Sequence, residues 1–88
     1  MEEKQFIRHL PRASVLTLKD QISYQEGQIA SKTLAQNKNV SLTLFAFDKD
    51  EEISSHQSTG DAMIQVLEGK ARIMVGKEFF EVSEGESI

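Results

Sequence analysis

Between residues 40 and 47 the sequence VSLTLFAF changes face at every step. A two-residue period marks an extended strand, because successive strand side chains point to opposite sides of the sheet. Val40, Leu42, Leu44 and Ala46 fall on one face, and Ser41, Thr43, Phe45 and Phe47 on the other. No helical stripe passes through such a run. Phe45 and Phe47 make the second face apolar at its far end, which implies that the strand is covered on both sides there. The preceding residues 28–36 keep the same period. Asn37-Lys38-Asn39 lies between the two runs, and asparagine tolerates the left-handed backbone that tight hairpin turns demand. The expectation is a β-hairpin.

The same period recurs along the chain. Residues 13–18 alternate loosely and predict a short edge strand closed by Lys19-Asp20, followed by a connection over residues 21–27 with Tyr24 partly buried. The acidic run Asp48-Lys49-Asp50-Glu51-Glu52 reads as a solvated loop. Alternation resumes at Ala62, Ile64 and Val66, breaks at Glu68-Gly69, restarts at Ala71, Ile73 and Val75, turns at Gly76-Lys77, and continues through Phe80 and Val82. This is a β-meander with tight turns. Short strands and regular turns favour an all-β barrel or sandwich, with residues 1–88 as one domain and residues 1–12 as an arm along it or across a dimer seam. The predicted core is Leu42, Leu44, Ala62, Ile64, Val66, Ile73, Val75, Phe80 and Val82. Met63 and Met74 are expected as gap fillers or at a subunit contact.

Composition narrows the partners. Ten Lys and Arg face 14 Asp and Glu, a net charge of −4 that repels nucleic acid and anionic lipid. Cysteine is absent, which excludes disulfides and thiolate chemistry. No apolar run has the roughly 18 residues of a membrane span, and Met1-Glu-Glu-Lys does not start a signal peptide. The expectation is a cytoplasmic protein with no membrane partner. Eighty-eight residues make a thin core, for a chain of this size buries only about 60% of its unfolded surface. A homodimer is therefore expected.

One segment carries a resemblance. Residues 50–69, ending in Val66-Leu67-Glu68-Gly69, resemble the first motif of the cupin superfamily, in which a glycine precedes His-x-His and a glutamate precedes a closing glycine. The 71–82 hairpin and Gly85-Glu86-Ser87 resemble the region leading to the second motif. The resemblance covers residues 40–88 and implies a double-stranded β-helix, or jelly-roll, barrel. It also marks departures: Asp50 stands at the first glycine, His56 matches the first histidine, Ser58 replaces the second, and Ala62 replaces the glutamate. One of three first-motif ligands survives. The family's second motif adds a histidine beyond the position of Ile88, so the chain is expected to lack the C-terminal strands of a complete barrel. An open sheet edge would then invite pairing with another chain.

A catalytic Zn or non-haem Fe needs about three protein ligands with one position left open. The chain has two histidines, and His9 lies in the arm, far from His56 in sequence. A divalent metal is implied by the family, but this chain alone supplies His56 as an incomplete site. Asp61 neighbours the missing glutamate, yet a one-residue shift turns a strand side chain to the other face, so it is expected to serve local backbone N–H groups. His56 has two readings, an exposed or barrel-mouth histidine held by backbone, and a ligand contact able to donate, accept or move a proton near neutral pH. Ser55 and Ser58 flank it without an orienting third group or an oxyanion hole, so a serine nucleophile is not inferred. Small residues at 58 and 62 leave room inside a barrel. Ligand-binding candidates are accordingly His56, Ser58, Ala62 and Ile64, with Gln65 facing outward.

Three functions remain open: a small-molecule-binding cupin-like barrel; a metal-dependent isomerase, dioxygenase or decarboxylase whose other ligands lie beyond Ile88 or on a partner chain; and an interaction module pairing through an open edge. The second rests on analogy with the fold alone.

Overall fold

The computed structural model describes residues 6–53 and 60–88. They form an all-β protein. A 3-10 turn, Leu18–Gln21, precedes β1 (Ile29–Gln36), β2 (Ser41–Phe47), β3 (Lys70–Val75) and β4 (Glu78–Ser83). β1 pairs antiparallel with β2 and β3 with β4, giving two two-stranded sheets and no closed barrel among the described residues. The chain divides into two compact units, residues 1–54 and 55–88. No helix of the described residues is long and apolar enough to cross a membrane.

In the first unit the predicted hairpin forms within one residue of its expected bounds, from Ile29 opposite Phe47 to Gln36 opposite Ser41. The turn works by a different device from the one expected. Neither asparagine adopts a positive φ. Asn37 instead uses its side-chain oxygen to accept from the N–H groups of Asn39 (2.8 Å) and Val40 (2.9 Å), while its own N–H donates to the Val40 carbonyl (2.8 Å). This Asx geometry satisfies the turn's donors without left-handed backbone.

A bulge interrupts the ladder between Thr33 and Ala35. The extra residue, Leu34, is the most deeply buried side chain among the described residues, at 1% exposure. With Leu44 and Ala46 it forms the buried apolar set of this unit. The N-terminal segment runs beside β1, where the Arg8 N–H donates to the Leu34 carbonyl (2.7 Å) and the half-buried Lys32 ammonium donates to the Gln21 carbonyl (2.7 Å).

Residues 13–18 do not form the expected strand. Ala13 has φ 50°, a left-handed kink that ends an extended run. No described strand pairs with this segment, Val15 is fully exposed, and Leu18 opens the 3-10 turn. Tyr24, expected to be half-buried, is exposed.

In the second unit Gly76-Lys77 joins Val75 to Glu78 in a two-residue hairpin. Gly76 has φ 63° and Lys77 does not share it, the pattern of a II′ turn, whose twist matches the strands. Cross-strand partners Ala71–Val82 and Ile73–Phe80 share one face, and Arg72–Glu81 and Met74–Phe79 the other. The expected strand at 62–66 contracts to one bridge, Gln65 opposite Ser87, flanked by backbone bonds. Ile64 and Ile88 exchange two (2.8 and 2.9 Å), the Val66 N–H donates to Glu86 (3.0 Å), and the Gly85 N–H donates to Val66 (2.7 Å).

The predicted core is only partly realised. Leu44, Val66 and Val82 are buried and Ile73 is half-buried, whereas Leu42, Ala62, Ile64, Val75 and Phe80 are exposed. Phe45 (49%) and Phe47 (37%) are exposed as well, so the second face of β2 is open rather than covered. A two-stranded sheet has too few neighbours to bury both of its faces.

Candidate functional site

The 64–66 segment is held by its backbone pairing with residues 85–88 rather than by side-chain packing. The extended ladder sets Ile64 and Val66 on one side and Gln65 on the other. Gln65 is exposed, as expected of an outward strand position. Along the apolar line exposure rises from Val66 (8%) to Ile64 (46%), and Ala62 is exposed beyond it. The line therefore runs from a buried end to an open one, and the open end leads in sequence to residues 54–59.

His56, Ser58 and Ser55 lie outside the described residues. Of the four ligand-binding candidates, the structure places Ala62 and Ile64, two residues apart and both accessible. Asp61 is exposed. His9, in the first unit, has φ 63°. Among the described residues no three His, Asp or Glu side chains converge to hold a metal.

The segment that pairs with residues 64–66 is anchored by short polar contacts. Glu86 Oε1 accepts from the Ser83 N–H (2.8 Å), and the Glu86 N–H donates to the Ser83 carbonyl (2.8 Å). This reciprocal pair fixes the reversal at Gly85, whose φ is 84°, and so sets the register against residues 64–66. On the outer face of β3–β4 the Arg72 guanidinium lies 4.2 Å from the Phe79 ring centroid. Lys70 Nζ is 3.8 Å from Glu81 in an exposed pair of little energetic weight.

The acidic run is largely solvated, and Asp48 within it also closes the base of the first hairpin. Its carboxylate accepts from the Gly27 N–H (2.7 Å), and its N–H donates to the Gln28 carbonyl (3.3 Å). The Gly27 N–H, and then that of Lys49, hold the Asp48 carboxyl below the ordinary carboxylate range. Its signal in the sequence is an aspartate directly after a strand, with a glycine before the partner strand.

No protein-family model matches the sequence, and no curated protein matches it. Among solved structures, the chain is similar to the crystal structure of the conserved SPY1581 protein of unknown function from Streptococcus pyogenes. The two share 36% identity and a TM-score of 0.94, over 99% of this chain and 76% of that one.

Proposed function

The chain belongs to the same family as the conserved SPY1581 protein of Streptococcus pyogenes, and from its own residues we propose that it is a cupin-like protein that binds a small molecule. In this reading the fold is that of a jelly-roll barrel, the protein is cytoplasmic, and the ligand sits at the open end of the Val66–Ile64–Ala62 line. The observation that supports it is the gradient of that line, buried at Val66 and accessible at Ile64. Accessible apolar residues beside a short polar segment are the usual makeup of a ligand pocket, where apolar walls supply affinity and a few polar groups fix orientation. Ile64 and Ala62 would provide the wall, and His56 and Ser58 the polar contacts. Ser58 and Ala62 stand where cupins place metal ligands, so the ligand is held by hydrogen bonds and apolar contact without a complete metal site in this chain.

The test is a thermal-shift screen of the 88-residue chain against sugars, small carboxylic acids, amino acids and nucleosides. At least one class should raise the melting temperature in a saturable way. His56→Ala should weaken that binding by about tenfold, the worth of one good polar contact, and Ile64→Asp should weaken it further. Binding that ignores both substitutions, or no binding by any class, would reject the reading.

A further inference from the structure

We propose that residues 8–21 form a strap that is latched at both ends to β1 and opens as one unit while the β1–β2 hairpin stays folded. The N-terminal latch is the Arg8 N–H, which donates to the Leu34 carbonyl (2.7 Å). Leu34 is the bulge residue, and a bulge leaves the extra residue out of the ladder. Its carbonyl can therefore serve a segment from elsewhere in the chain. The C-terminal latch is Lys32, whose ammonium donates to the Gln21 carbonyl (2.7 Å). Lys32 stands opposite Leu44, on the face that carries the buried Leu44 and Ala46. The two ends of the strap are thus tied to neighbouring positions of one strand.

What lies between the latches favours opening. Across residues 9–20 only Leu10 and Leu16 are half-buried and the others are exposed, Val15 fully. Segments that bury little apolar surface open at low cost, ahead of global unfolding. Backbone strain acts in the same direction. His9 and Ala13 take φ values of 63° and 50°, a left-handed conformation that is unfavourable for residues with a Cβ and is relieved when the segment detaches. Bonds inside the strap do not oppose its release. Ser14 Oγ donates to the Arg12 carbonyl (2.9 Å) and the Asp20 N–H to the Thr17 carbonyl (3.1 Å), and both can travel with it. The hairpin has its own ladder and its own Asx turn, neither of which uses the strap. Opening uncovers the Leu34 carbonyl and frees the Lys32 ammonium, so an acceptor and a cation become available together on β1 in the open state alone. This inference concerns the first unit and does not depend on the ligand reading, which concerns the second.

Amide hydrogen exchange of the 88-residue chain, followed residue by residue by NMR, tests it. The Arg8 amide should be protected relative to an unfolded chain, yet exchange at least about tenfold faster than the most protected amides of the β1–β2 ladder. Lys32→Met keeps the aliphatic stem and removes the far latch. It should speed Arg8 exchange by about tenfold more, the worth of a hydrogen bond from a charged group, and leave the ladder amides unchanged. Ala13→Gly suits the left-handed kink and should slow Arg8 exchange by about threefold. Far-UV circular dichroism checks folding, and if Lys32→Met fails to fold, Ala13→Gly decides. An Arg8 amide without protection, or one as protected as the ladder, would overturn the proposal. So would a folded Lys32→Met chain whose Arg8 amide exchanges like the parent's, which would make the two latches independent bonds, or an Ala13→Gly chain in which Arg8 exchange is not slowed.

Discussion

At the scale of single residues, two side chains do more for the first unit than their neighbours. Asp48 bonds to the Gly27 N–H and has its carboxyl lowered by that contact. A carboxylate bound more tightly in the folded state adds stability above its unfolded pKa of about 3.9, and that contribution is lost as the pH falls through the lower folded value. Asp48→Asn should therefore melt below the parent at pH 7, and the two melting temperatures should converge as the pH is lowered past the carboxylate range. A constant gap down to acid pH would show that the charge contributes nothing. Leu34 is the bulged residue and the deepest apolar one. Leu34→Ala should cost about 2–5 kcal/mol in urea unfolding, the usual range for a buried leucine.

At the scale of elements, the tight turn of the second hairpin rests on backbone conformation alone. Gly76 has φ 63°, and a Cβ added there would meet nothing within 4 Å. Gly76→Ala should thus cost about 1–2 kcal/mol from left-handed backbone, and Gly76→Asn less, by equilibrium unfolding; equal losses would point to a packing cause. Both hairpins were legible in the sequence because a two-residue period and turn residues are local signals. The Leu34 bulge was not, since nothing local distinguishes a bulged residue from its neighbours in IASKTLAQ. Residues 13–18 misled because loose alternation predicts a strand only where a partner strand pairs with it. Alternation likewise named Leu42, Ile64, Val75 and Phe80 as core, but burial depends on what covers a face, and periodicity carries no information about that. For the site, the sequence led to Ala62 and Ile64 as accessible positions next to His56, whereas the anchoring of their register through Glu86 and Ser83 arises from chain reversal, which spacing does not reveal.

At the scale of the whole molecule, two-stranded sheets are marginal on their own in water. The described residues bury only small apolar sets, Leu34, Leu44 and Ala46 in one unit and Val66 and Val82 in the other. The proposed ligand site around residues 56–64 is tested by a two-dimensional amide NMR titration of the 88-residue chain with the compounds retained by the thermal-shift screen. Saturable shifts of the His56, Ser58, Ala62 and Ile64 amides are expected, with those of Ser31, Thr43 and Phe45 unmoved. Shifts confined to β1–β2, or saturable binding that leaves residues 56–64 unchanged, would contradict it.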